Sequence, residues 1–161
     1  MKKYELTEET VIVSGKTLYR IRAVRDFGSV KAGDLGGYIE KEENLSHCGE
    51  ALVCDNAEVY GNAKVSGNAK VSGKACVCGD AEVSDTRHFF VQGPIGSRDG
   101  FVTFYRTKNN TVGVRCGCFS GSLQEFVDRV EETHGGSRYE KEYKLAAELA
   151  KVCIRLEGES R

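Results

Sequence analysis

Between Gly49 and Ser84 the chain repeats every six residues, reading GEALVC, DNAEVY, GNAKVS, GNAKVS, GKACVC and GDAEVS. Ala recurs at 51, 57, 63, 69, 75 and 81, and Val follows two places later each time. Alternate residues of an extended segment share a face, so Ala and Val fill a narrow interior while Gly or Asp turns a corner. A helix would need a 3.6-residue period, and regular glycines would weaken it. The pattern predicts short strands with Ala63, Val65, Ala69 and Val71 inside and Asn62, Lys64, Asn68 and Lys70 in solvent.

The flanks follow other rules. Thr10 to Val13 and Thr17 to Phe27 are β-rich runs about Ser14-Gly15, a hairpin turn, and residues 1–48 read as an N-terminal β cap. The hexads occupy 49–87. Residues 88–161 read as a separate module, with strands at Phe89 to Gln92, Phe101 to Arg106 and Val112 to Phe119, the last two joined across Lys108-Asn109-Asn110. Two helices follow, each opened by a predicted capping box, Ser122 with Glu125 and Ser137 with Glu140, and the first stops at Gly135-Gly136.

The hexads resemble hexapeptide-repeat proteins, in which three hexads make one turn of a left-handed triangular prism. That resemblance implies a mixed β and α+β fold class: a short, parallel, left-handed β-helix of about two turns with an N-terminal β cap, followed by a small ββαα-type α+β module. So short a prism buries few side chains, and a homo-oligomer, trimer or dimer, is expected. Arg25-Asp26-Phe27, Val30 to Ile39 and Asn44-Leu45-Ser46 are similar to the start of polymer-forming-like hexapeptide-repeat proteins of phages and prophages. The pattern Gly93 to Arg98, Cys116 to Phe119, Thr133-His134-Gly135 and Tyr139 to Tyr143 resembles a C-terminal module of phage-encoded proteins. The resemblance carries architecture and no chemistry.

Charge and cysteine content narrow the function classes. With 23 Lys+Arg against 24 Asp+Glu and a net charge of −1, the chain lacks the basic excess of a nucleic-acid-binding domain. No stretch approaches the ~18 apolar residues of a membrane span, and the expectation is a soluble protein of the cytoplasm of a bacterial host. Seven cysteines suit reduced thiols. The spacing of Cys76 and Cys78, and of Cys116 and Cys118, is narrower than a zinc knuckle, so they read as paired small hydrophobes and no metal is expected. HExxH, GxSxG and a dyad of spaced carboxylates are absent, which leaves no catalytic residue and no cofactor to name. His47, at the edge of the hexads, is an ordinary solvated side chain unless the protein is an acyltransferase of the hexapeptide-repeat kind, which would bind coenzyme A.

Gly93-Pro94-Ile95-Gly96-Ser97-Arg98-Asp99-Gly100 is the segment most suggestive of chemistry. Backbone N–H groups of a Gly-rich loop, a hydroxyl and a guanidinium suit an anion, although a plain β-turn would use the same residues. Gly96, Ser97, Arg98, Thr103, Tyr105, Arg106, Arg115 and His134 are the candidate ligand-binding residues, with Arg98 and Ser97 for charge and Tyr105 for stacking on a base. His134 would equally serve as a cation at a helix C-terminus. The expected function is non-catalytic binding and sequestration of a small anionic nucleotide-derived molecule, such as a host immune signal of the cyclic nucleotide or cyclic ADP-ribose type. A structural adaptor assembled through the hexads and the acyltransferase are the alternatives.

Overall fold

The computed structural model describes residues 1–159. Strands β1 (Tyr4–Val13) and β2 (Lys16–Ala23) form the N-terminal hairpin, with Val13 opposite Lys16 and the turn residues Ser14 and Gly15 at φ of 51° and 75°. Those positive angles match the right-handed twist of the flanking strands. Strand β3 (Leu35–Ile39) lies antiparallel beside β2. The hexads supply β4 (Leu52–Val53), β5 (Glu58–Val59), β6 (Lys64–Val65), β7 (Lys70–Val71), β8 (Cys76–Val77) and β9 (Glu82–Val83). Each of β4, β5 and β6 pairs in parallel with the strand three hexads on: Leu52 with Lys70, Glu58 with Cys76, Lys64 with Glu82.

The expected fold class needs correction. Among the described residues there is no closed or solenoid sheet, and the left-handed parallel β-helix is not what the sheets show. They form a mixed five-stranded sheet ordered β1-β2-β3-β5-β8, a four-stranded antiparallel sheet, two two-stranded parallel ladders, β4-β7 and β6-β9, and two helices. The reason is strand length. Each hexad keeps only two residues in strand before a corner at positive φ, as at Asp55 (56°), Gly61 (69°) and Gly67 (61°), breaks the run. Parallel pairing therefore stays in short ladders, while the longer antiparallel strands at either end set the sheet structure.

Inside the ladders the alternation is as expected: Ala63, Val65, Ala69 and Val71 are buried, and Asn62, Lys64, Asn68 and Lys70 are exposed. This Ala/Val core takes in Tyr4, Ile21, Ile39 and Leu45 from the N-terminal segment and Tyr105 from the C-terminal module. The open ladder ends have polar groups fitted to them, because a buried carbonyl or N–H without a partner is costly. Lys3 Nζ donates to the carbonyls of Ala51 (2.6 Å) and Gly49 (3.4 Å), Asn44 Nδ2 to those of Ala63 (2.9 Å) and Gly61 (3.2 Å), and Tyr38 N–H to that of Ala57 (2.9 Å). At the far end the Cys76 N–H donates to Thr103 Oγ1 (2.9 Å) and the Lys70 N–H to Thr86 Oγ1 (3.3 Å).

The C-terminal module holds β10 (Phe89–Ile95), β11 (Gly100–Arg106), β12 (Val112–Cys116) and β13 (Phe119–Ser122) in an antiparallel meander, then α1 (Leu123–His134) and α2 (Arg138–Cys153). The run read as one strand from Val112 to Phe119 is two, because Gly117 at φ 56° turns the chain and pairs Cys116 with Phe119. Phe126 and Val130 of α1 and Ala146, Ala147 and Ala150 of α2 pack on Val102, Phe104 and Val114 of the sheet.

The first capping box forms: Ser122 Oγ accepts from the Glu125 N–H at 3.1 Å and Glu125 Oε1 from the Ser122 N–H at 3.3 Å. The second does not. Ser137 Oγ donates instead to the His134 carbonyl (2.7 Å), and Glu140 accepts from the Gly136 N–H (3.3 Å), since the tight link between the helices brings the last carbonyls of α1 within reach. Among the described residues no helix is long and apolar enough to cross a membrane.

Candidate functional site

The eight candidate residues fall into three places. Gly96, Ser97 and Arg98 form the β10–β11 turn. The Gly96 N–H, the donor expected to meet a ligand anion, already donates to Glu142 Oε1 of α2 at 2.8 Å. Gly96 is buried against the Tyr143 hydroxyl, which occupies the space a Cβ would need, so this glycine is fixed by close packing. His134 stacks on the Tyr143 ring with centroids 5.6 Å apart and meets Tyr139 edge-on at 5.8 Å. Tyr143 thus links the turn to His134, while the side chains of Ser97 and Arg98 point into open solvent.

Thr103, Tyr105 and Arg115 lie on the opposite face of the sheet, against the hexads. The Thr103 hydroxyl is spent on the Cys76 N–H. Tyr105 Oη lies 3.9 Å from Cys78 Sγ, Cys76 Sγ lies 3.9 Å from Tyr60 Oη, and the Arg115 guanidinium sits 5.9 Å from the Tyr60 ring centre while donating to Ser14 Oγ at 2.8 Å. Cys76 as donor, with the Tyr60 and Tyr105 hydroxyls and Arg115, draws the Cys78 thiol below its ordinary pKa, and the same exchange raises that of Cys76. This cluster seals the junction: Cys78 and Tyr105 are 2% and 3% exposed, out of reach of a solute. Arg106 stands apart, its Nε donating to the Glu82 carbonyl (3.0 Å) and its Nη1 to Glu157 (3.2 Å). None of the eight lines a cavity described below.

The widest of three cavities among the described residues, 570 Å³, is a cleft where the hexads meet the module. The corner Ser72-Gly73-Lys74 forms one wall, Thr86 and Arg87 a second, and Phe89, Phe90 and Val91 at the start of β10 a third, with Cys153 at the end of α2 closing it. Local bonds fix these walls. Asp55 Oδ2 accepts from the Gly73 N–H (3.0 Å), Asp85 Oδ1 from the Arg87 N–H (2.8 Å), and the Arg87 carbonyl from the Arg155 N–H (2.9 Å). Lys74 Nζ lies 5.4 Å from the Phe101 ring centre. Nearby, burial and Arg106 lower the pKa of His88, whose Nδ1 accepts from the Ser84 N–H at 3.0 Å.

Charge separates this cleft from the other two. It carries two cations, Lys74 and Arg87, and no carboxylate. A 250 Å³ pocket near Gly61 sets Lys41, Lys64 and Lys108 against Glu43, Asp80 and Glu82, and is neutral. A second 250 Å³ pocket, under the N-terminal hairpin, is apolar apart from Asp34. An anion is favoured only in the first, where exposed hydroxyl and guanidinium groups adjoin aromatic rings.

The sequence reading passed over these residues, yet two signals stood in it. Lys74 is the only cation at the second place of a hexad, where Glu50, Asn56, Asn62, Asn68 and Asp80 stand elsewhere. Arg87-His88-Phe89-Phe90, a basic and aromatic run, begins where the hexads end. Among the described residues no group of three or more His, Cys, Asp or Glu side chains could hold a metal ion. In comparisons with known proteins, no family model and no curated protein matches the chain.

Proposed function

We propose that the protein is a non-catalytic binder of a small anionic, nucleotide-derived molecule, held in the cleft between the hexads and the C-terminal module. The observation that carries this reading is a 570 Å³ cleft with Lys74 and Arg87 on its walls, phenylalanine rings beside them and no carboxylate. A phosphate would pair with the two cations and take hydrogen bonds from Ser72 and Thr86, while a base would lie against Phe89. The walls offer cations, hydroxyls and aromatic rings, groups that suit holding a phosphate and a base. The resemblance of the termini to phage-encoded proteins supports a role in the cytoplasm of a bacterial host, sequestering an immune signal of the cyclic nucleotide or cyclic ADP-ribose type.

Calorimetry against cyclic nucleotides, ADP-ribose derivatives and coenzyme A tests it. Lys74→Ala and Arg87→Ala should each weaken binding by roughly 10- to 100-fold, the loss of one charge-assisted hydrogen bond, with unchanged melting. Arg98→Ala should leave affinity as it is. No heat from any of these ligands overturns the reading, and a loss confined to Arg98→Ala moves the site to the β10–β11 turn.

A further inference from the structure

The buried side of α2 is Ala146, Ala147 and Ala150. On its opposite side Leu145, Leu149 and Val152 are 70%, 45% and 82% exposed. Their spacing of four and three residues sets them on one line down the helix. The same outward line carries Lys141 one turn before Leu145 and Glu148 beside Leu149. A cation therefore precedes Leu145, and an anion follows it.

That order is complementary to itself in one arrangement. We propose that this face of α2 is a dimerisation surface whose partner is a second copy of the same helix, antiparallel and registered on Leu145. A parallel copy would set Lys141 against Lys141. The antiparallel copy sets Leu145 on Leu145 at the two-fold axis, lays the stem of each Lys141 on the other chain's Leu149, and brings its ammonium to the other chain's Glu148. Among the described residues Lys141 makes no ion pair, and Glu148 holds only Lys151, three residues on, at 2.9 Å in an exposed pair that is readily exchanged. The surface is remote from the walls of the cleft apart from the adjacent Cys153, so the dimer stands whether or not a ligand is bound there.

Sedimentation equilibrium of the full chain across a range of concentrations tests this. The wild type should dimerise. Leu145→Asp places two carboxylates together at the axis and should raise the dissociation constant by at least about a hundredfold, through lost apolar burial and added repulsion. Lys141→Glu or Glu148→Lys alone should weaken self-association on the order of tenfold. Mixed together, the two charge variants should form a heterodimer tighter than either homodimer, since one chain then carries two carboxylates on the stripe and the other two ammoniums. All three positions are exposed, and thermal melting verifies the fold. A wild type that stays monomeric, an oligomer that survives Leu145→Asp, or a mixture without heterodimer gain overturns the proposal.

Discussion

Asn44 is where a single side chain closes one ladder. It is 0% exposed, its Nδ2 donates to the Ala63 and Gly61 carbonyls at 2.9 and 3.2 Å, and its Oδ1 accepts from the Lys41 N–H at 2.9 Å. Below β6 the main chain adds Leu45, bridged to Val65, and among the described residues no other group donates to those two carbonyls. Asn44→Ala removes all three hydrogen bonds inside the protein. At about 1 kcal/mol net for each bond, the expected loss is about 3 kcal/mol. Asn44→Asp keeps the shape and the acceptor for Lys41 but turns a carboxylate toward two carbonyls, and should cost more at neutral pH. Burial and those carbonyls raise the pKa of the new acid above its unfolded value of about 3.9, so the folded state binds the proton more tightly. Stability should then return as pH falls through that raised value, where the protonated acid donates once more. The chain has no tryptophan, so urea unfolding is followed by circular dichroism, with the slope held as a check on two-state behaviour. An Asn44→Ala midpoint equivalent to less than about 0.5 kcal/mol of loss, or an Asn44→Asp variant insensitive to pH, would refute this account, because either would mean the ladder end is open to water.

Two corner glycines give a paired prediction. Gly67 (φ 61°) would set a Cβ 2.5 Å from the Ser84 carbonyl oxygen, whereas Gly73 (φ 66°) faces open space, so Gly67→Ala should destabilise by more than the 1–2 kcal/mol or so that φ alone costs Gly73→Ala; equal melting temperatures would contradict it. For Lys3, burial and then Arg25 push the ammonium down to about 8, against about 10.4 in an unfolded chain. The unfolded state then binds more protons between those values, so stability should rise with pH across that window, and Lys3→Met should flatten the rise in urea titrations made at several pH values.

Much of the local structure was legible because it depends on neighbours in the chain. The hairpin at Ser14-Gly15, the inward Ala and Val of the hexads, the capping box at Ser122 and the end of α1 at Gly135 all follow from residue type and spacing within a few positions. Reading failed where one local signal overrode another. Ser137 left its expected box because the His134 carbonyl lay closer, and the strand from Val112 split because Gly117 took a positive φ. Leu149, apolar like the alanines beside it, is nonetheless 45% exposed because Ala146, Ala147 and Ala150 fill the contact with the sheet.

The candidate site shows the same division more sharply. The sequence by itself determined that small apolar residues would alternate inward along the hexads and that longer strands and two helices would follow them, since those properties are set by period and propensity. Tertiary structure alone decided the rest. It joined β3 to β5 and so drew the hexads into a mixed sheet, and it spent Thr103, Tyr105 and Arg106 on contacts with the hexads. It gave the Gly96 N–H to Glu142, 46 residues away, and it brought Lys74 and Arg87 to one cleft. A polar side chain does not declare in sequence whether its hydrogen bonds will be made within the protein or kept for a ligand. That depends on which buried donors and acceptors the packed chain leaves nearby, and packing at long separation is what a local pattern does not encode.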